Sequence, residues 1–414
     1  MKMLWLCPEI PYPLTTGLLR VYSLLRELGR RHEITFVSIT RRETVSAEDL
    51  QALAPFTKEV IIHSEWDSSE PLFVKTFSKV PFFGVRLQDY WRKKRVSEQV
   101  GQTMKRLVQA EAFDVLLFGG RYTIPGLREL GVPIVVDCCD AHCARFLGEM
   151  RHASLLKRPL IYLRYLLMRR SELKMARMSP HVSFVSDRDR KALLGSAGHT
   201  KILPQGVDFE YWKRSGEKRE RNLIVFTGAM DYSPNDDAAQ FLIKKVLPLV
   251  RRAVPDIRTM IVGRDPLPGL LAMARAQSDV SVTGSVPDIR PYLERADIYV
   301  APLRFASGVQ NKVLEAMAME LPVVTTPAVA DALVWDGQRA PVVVAPRAQD
   351  IAEQVIALLR DEQKRTSLGT RGREFVMKHC RWSHSADVFE EMCVAAASGN
   401  HSKVEPSFRV QQCA

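Results

Sequence analysis

The stretch "DIYVAPLRFASGVQNKVLEAMAMELPVVTT" (Asp297–Thr326) decides the fold. "DIYVAPL" and "LPVVTT" are short, β-branched apolar runs, the pattern of buried strands. "RFASG" between them reads as a loop, and a helix is expected from about Val309 to Met319. Strand, helix and strand at this spacing make one parallel-sheet unit with a crossover helix. The helix then begins at the carboxyl end of a parallel strand, where open α/β sheets bind ligands. Lys312 and Glu315 stand three apart, side by side on that helix. A surface ion pair would explain them. So would a ligand that carries both phosphates and hydroxyls.

The same alternation runs outward in both directions. "MLWLC", "EITFVSI", "EVIIH", "DVLLF", "PIVVD" and "HVSFVS" precede residue 186, and "NLIVFTG", "RTMIVG", "VSVTG" and "PVVVA" accompany the opening stretch. Amphipathic segments separate the runs, so two doubly wound parallel-sheet domains are expected. The organisation reads as an N-terminal domain over 1–205, a polar linker over 206–221 and a second domain over 222–375. C-terminal helices over 376–398 are expected to pack back across the domains, ahead of a disordered tail over 399–414. "YSPNDDAAQF" opens the first helix of the second domain, with Ser233 as N-cap, Pro234 at N1, and Asp236 and Asp237 in the first turn.

The chain has 414 residues, 46% of them hydrophobic and 26% charged, with a formal charge of +12. That profile suits a soluble two-domain protein with a polyanionic partner. No zinc-finger or RRM signature accompanies the basic residues, so phosphorylated ligands or an anionic membrane are favoured over nucleic acid. Seven cysteines suggest no disulfide framework, which points to a reduced cytoplasmic setting. The start "MKMLWLCPEIPYP" is broken by proline too early for a signal peptide, and no run is long enough to span a membrane. "LLKRPLIYLRYLLMRRSELKMARM" (Leu155–Met178) mixes leucines with arginines and lysines, and "YWRKKRV" (Tyr90–Val96) adds positive charge. The first reads either as a basic helix on an anionic membrane or as a helix with one core face and one solvated face.

The helix start near Gly308, Val309 and Gln310 offers free N–H groups and a favourable dipole for an anion, and Gly308 allows close backbone approach. Lys312 is placed to reach that anion, and Glu315 to accept from ribose hydroxyls. A nucleoside-diphosphate sugar fits this polarity. Cys138, Cys139, His142 and Cys143 match no common zinc spacing, and "DRD" (Asp187–Asp189) reads as a helix start. No metal or cofactor is expected.

"APLRFASGVQNKVLEAMAMELPVVTT", "ILPQGVDFEYW", "VTGSVPDIRPYLERADIYVAPL" and "CPEIPYPLTTGLLRVYSLLREL" together resemble the GT-B glycosyltransferases of family 4. "FTGAMDYSPNDDA" and "GVQNKVLEAMAM" look like the subgroup associated with exosortase and exopolysaccharide loci. The resemblance implies two Rossmann-like domains facing a cleft, a retaining, metal-independent hexosyl or other glycosyl transfer, and a glycan or lipid-linked acceptor. The cysteine usage and the basic helix together place the protein in the cytoplasm, peripheral on the inner face of the plasma membrane. Glu315 matches the second acid of the family's Glu-x7-Glu pattern, expected at the ribose; Ser307 stands where the first acid belongs, near the donor sugar. The arginine and lysine usual after the second domain's first strand are absent from "GAMDYSPN", which follows Thr227 and begins at Gly228. Lys312 and Arg304 are expected to supply that charge instead. Val286 in "GSVPD" matches the segment that contacts the base. Gly17 belongs to the loop facing the cleft, where Leu18 replaces a second glycine. Asp140 reads either as a group orienting an acceptor hydroxyl or as the N-cap of the following helix. The alternative function is a catalytically impaired GT-B protein that binds nucleotide sugar or acts as a membrane scaffold.

Overall fold

The computed structural model describes residues 1–12, 18–42, 44–65, 83–119, 124–195 and 200–399. Gly17 and residues 400–414 of the expected tail lie outside them. Each apolar run quoted above forms a strand. β1 (Lys2–Cys7), β2 (Glu33–Thr40), β3 (Glu59–Ser64), β4 (Val115–Gly119), β5 (Ile134–Cys139), β6 (His181–Phe184) and β7 (Thr200–Ile202) form one sheet in the order 3-2-1-4-5-6-7. β8 (Leu223–Thr227), β9 (Arg258–Val262), β10 (Val280–Val282), β11 (Ile298–Ala301), β12 (Val323–Thr325) and a last strand, Val343–Val344, form the second, ordered 10-9-8-11-12 and then the last strand. All pairings in both sheets are parallel. Parallel sheets are covered on both faces, which is why these strands read as continuous apolar runs and not as alternating ones.

In both sheets the strand order reverses beside the first strand, and such a switch point opens a crevice at the carboxyl ends. The helices that matter for the crevice are α1 (Leu19–Gly29), α2 (His142–His152), α3 (Arg158–Ala176) and α4 (Asp187–Leu194) in the first domain. In the second they are α5 (Ser233–Phe241) and α6 (Asn311–Ala318). α6 starts two residues later than expected, with Gln310 as a cap that makes no side-chain bond. Ser233 is not the N-cap of α5. It is the first helical residue, and Tyr232 precedes it without a side-chain bond, because Pro234 already fixes the first turn.

The stretch 206–221 lies along the second domain. Trp212 is buried in that domain's core, and Glu294 accepts the N–H groups of Ser215, Gly216 and Glu217. The final helix, α8 (Trp382–Ala397), returns to the first domain after α7 (Glu362–His379), which packs on α6. Trp382, Phe389 and Cys393 join the apolar cluster under β1 and α1. The two chain crossings run together: Val207 N–H donates to the Cys380 carbonyl at 2.8 Å, and the Ser385 hydroxyl donates to the Pro204 carbonyl at 2.8 Å.

Glu320 adopts a left-handed conformation, φ 56°, at the end of α6, a position that favours glycine. The Leu321 N–H reaches back to the Ala316 carbonyl, as in a glycine-type cap. Arg219 donates to the Glu320 carbonyl at 2.6 Å and Gly369 packs against that carbonyl, so tertiary contacts hold the strained residue.

Candidate functional site

The crevices of the two sheets meet in a cleft of about 1040 Å³. Residues after β1, β4 and β5 line one wall and residues after β8, β9 and β11 the other. The floor is built around Lys312. Its Nζ donates to Asn235 Oδ1 on α5 and stands 5.1 Å above the Phe226 ring. Lys312 makes no ion pair among the described residues, and Glu315 makes neither an ion pair nor a hydrogen bond among them. The opening pair is therefore not a surface salt bridge. Burial pushes the Lys312 amine down to about 7, and Glu315 only partly restores it. Burial pushes the Glu315 carboxyl up to about 7, and Lys312 only partly offsets that. A desolvated cation without a carboxylate partner favours an incoming anion.

Gly228 follows β8 under this pair. A Cβ there would lie 2.6 Å from Asn235 Nδ2 and 3.0 Å from Lys312 Nζ, so glycine leaves room for the amine. Asn235 takes the place where a basic residue was sought. It is buried, and its Nδ2 donates to the Ala229 carbonyl at 2.9 Å, which orients Oδ1 toward Lys312.

The loop before α6 is gripped from the first domain. The Gly308 N–H donates to Asp189 Oδ1 at 3.0 Å, and Arg188 Nη2 donates to the Gly308 carbonyl at 3.0 Å. The Ser307 hydroxyl donates to Asp140 Oδ2 at 2.9 Å. Asp189 is fully buried and also accepts the Ala141 N–H at 3.2 Å, so one carboxylate ties the loop after β5 to the loop after β11. Gly308 has φ 64°, and a Cβ there would meet Asp140 at 3.0 Å; only glycine fits. Its N–H is thus not free for a ligand, contrary to expectation. The N–H groups of Val309 and Gln310 make no hydrogen bond among the described residues and remain for an anion.

Asp140 lines the cleft, held by Ser307 and by His142 Nε2 at 2.8 Å. It does not cap α2, whose N-cap is Ala141 with no side-chain bond. Val286 and Ser307 also line the cleft. Arg304 does not. Its guanidinium is paired with both oxygens of Asp237 on α5 and reaches His152 at 3.4 Å, so a local acid holds it away from the phosphates it was expected to meet.

Sequence reasoning missed Arg20, Asp137 and Glu172. Arg20 is buried on α1, donates to Asp137 at 2.8 and 3.2 Å, and reaches the carbonyls of Leu203 and Pro204. Glu172 on α3 lines the cleft, accepts the Cys143 N–H at 3.2 Å and leaves Oε1 without a partner among the described residues. Burial raises its carboxyl above the usual range. β5 bulges at Asp137 and Cys139, with Cys139 at φ 59°. Burial also drives the thiols of Cys138 and Cys139 well up, which leaves them inert as nucleophiles. Among the described residues no cluster of His, Cys, Asp or Glu could hold a metal ion.

Two parallel-sheet α/β domains with facing crevices are the GT-B architecture. HepE of Anabaena, in complex with UDP and glucose, superposes with TM-score 0.65 at 15% identity, covering 95% of this chain and 100% of that one. Sucrose-phosphate synthase of Thermosynechococcus elongatus superposes with TM-score 0.68 at 14% identity, covering 96% and 100%. Residues 221–361 match the family described as Glycosyl transferases group 1. A curated relative, the GDP-mannose-dependent alpha-(1-6)-phosphatidylinositol monomannoside mannosyltransferase of Mycolicibacterium smegmatis, is 26% identical over 229 residues. That match spans 49% of this chain and 58% of the relative's length.

Proposed function

We propose that this chain is a retaining glycosyltransferase that moves a sugar from a nucleoside-diphosphate donor to a glycan or lipid-linked acceptor. The observation that carries the reading is the Lys312 amine at the head of α6, which has no carboxylate ion-pair partner among the described residues and faces the cleft beside Glu315. The diphosphate sits against Lys312 and the amides of Val309 and Gln310, the ribose against Glu315, and the base against the segment of Val286. Transfer breaks the bond from the sugar C1 to the phosphate oxygen, whose electron pair stays on the leaving diphosphate. Lys312 and the amides stabilise that developing charge without needing a metal. The acceptor oxygen bonds to C1 and its proton passes to the leaving phosphate. Retention follows from the family resemblance. Asp140 orients the acceptor hydroxyl. HepE is described with UDP and glucose and the mycobacterial relative as GDP-mannose-dependent, which supports a nucleotide-sugar donor of either base. The motif resemblance supports a role in cell-surface or exopolysaccharide synthesis, and the basic Leu155–Met178 segment supports a place at the cytoplasmic face of the membrane.

The pair sets a pH dependence. A bound diphosphate holds the proton on Lys312, so above about pH 7 binding takes up a proton and weakens, approaching tenfold per pH unit. Glu315 accepts from ribose hydroxyls as the carboxylate, so below about pH 7 binding weakens as it protonates. Nucleoside-diphosphate affinity by calorimetry is thus expected to peak near neutrality. Glu315→Gln removes its part of the acid limb, leaving only the titration of the phosphate itself. An affinity that stays flat above neutrality would remove Lys312 from the anion site. UDP and GDP, each with and without sugar, are the ligands for the calorimetry. Tighter binding of neither over inorganic phosphate would refute the donor reading.

A further inference from the structure

α3 and the turn before it carry large apolar side chains on their outside. Leu156 is 94% exposed, Leu167 62%, Leu160 56% and Leu163 51%. Most of the exposed large apolar residues among those described fall between Leu155 and Leu167. Leu160, Leu163 and Leu167 recur at helical spacing, so they share one face. Ile161, Met168 and Glu172 recur on the opposite face, and there Ile161 and Glu172 are buried against the first domain. The helix is thus apolar on two faces, which the reading with one core face and one solvated face does not describe. Arg158, Arg164 and Arg169 lie on the flanks between the two faces, and Arg170 and Lys174 extend the outer side. From Arg151 to Ser171 there is no acidic residue.

We propose that the outer face of α3, with the turn at Leu155 and Leu156 before it, is a docking surface for an anionic lipid bilayer. The chemistry commits to that partner. An exposed leucine face needs an apolar medium, and flanking guanidinium groups that reach outward past it meet lipid phosphates. A protein partner would be recognised by a closed pattern of pockets and paired charges, whereas this surface is a single cationic sign around leucine. No helix among the described residues is long and apolar enough to cross a membrane, so α3 lies in the interface plane.

The position of the helix gives the docking a purpose, and this part rests on the transfer reading above. Glu172 and Met175, on the same helix, line the cleft. Nine residues separate Leu163 from Glu172, a rise of about 14 Å. An amphiphilic acceptor whose chains stay in the bilayer under Leu160 and Leu163 can therefore bring its polar head to the wall formed by Glu172 and Asp140. Asp140 is the carboxylate on that wall that a head-group hydroxyl meets.

Co-sedimentation of the full chain with vesicles tests this. The parent is expected to bind phosphatidylcholine vesicles containing phosphatidylglycerol, to bind phosphatidylcholine alone far more weakly, and to lose part of its binding in high salt. Combining Leu156→Ser, Leu160→Ser and Leu163→Ser should weaken vesicle binding at least about a hundredfold. The melting temperature and the affinity for UDP or GDP should stay at the parent's values, since these side chains are outside the cleft and core. Equal vesicle binding by parent and variant would overturn the proposal. So would equal binding of the parent to neutral and anionic vesicles, or a parent dimer that the substitutions dissolve without any vesicle binding. Vesicle binding needs no donor, so its failure is distinct from failure of the transfer reading. If vesicles bind but labelled sugar enters neither extracted lipid nor glycan, docking stands and the transfer reading falls.

Discussion

Replacing Lys312 by methionine is expected to lower the affinity for a nucleoside diphosphate about a hundredfold while leaving the fold as stable as before, or more so. The reasoning joins two observations. Lys312 is the charge at the head of α6 that has no carboxylate ion-pair partner among the described residues, and a fixed donor to a developing anion contributes about 2–4 kcal/mol. The same amine is held in a site where burial pushes it down to about 7, so its charged form is disfavoured in the empty protein. Methionine keeps the length of the chain over the Phe226 ring and removes that penalty. Calorimetry with UDP or GDP, alongside a melting curve, separates the two effects. A variant that binds as the parent does would leave the amine without a role in the cleft. One that loses binding only because it unfolds would show that Lys312 serves the core.

The second large effect is expected at Asp189. Asp189→Ala strands the N–H groups of Gly308 and Ala141, both buried by this contact. An unsatisfied buried donor costs roughly 1–3 kcal/mol, so the pair amounts to roughly 2–6 kcal/mol. Because one donor belongs to each domain, the loss falls on the contact between the domains as well as on the fold. Transfer should fall further than nucleotide affinity, since the proposed arrangement seats the nucleotide mainly on the second domain and the acceptor on the first. Asp189→Asn retains an accepting oxygen and should recover most of the melting temperature. Parent-like transfer by Asp189→Ala would show that the grip on Gly308 is idle in the reaction.

The parts of this site that were legible in the sequence are the local ones. "DIYVAPL" and "LPVVTT" read as strands because both faces of a parallel sheet are covered, and α6 followed from what lies between them. Lys312 and Glu315 fell into the cleft because the helix start fixes where both point. What stayed hidden depends on pairs distant in the chain. Asp189 was read only as part of a helix start, which it is, while its second task at Gly308 lies 119 residues away. Arg304 looked available because nothing beside it in sequence is acidic; α5 brings Asp237 to it. Asn235 was passed over because a cation was sought, whereas the position holds the amide that orients one. On α3 the composition showed leucine and arginine together. Which leucines face outward depends on which stripe the first domain covers, and Ile161 and Glu172 settle that only in three dimensions.

The central claim is that this cleft transfers a sugar, although Ser307 stands where a carboxylate would be expected. Its most direct measurement follows labelled sugar from a panel of nucleoside-diphosphate sugars, incubated with the full chain and a membrane extract. The account predicts release of nucleoside diphosphate, with label entering the extracted lipid or glycan, for at least one donor, and loss of both with Lys312→Met. Tight donor binding with every label still on its nucleotide, with and without extract, would contradict it and leave a nucleotide-sugar-binding protein that does not catalyse transfer.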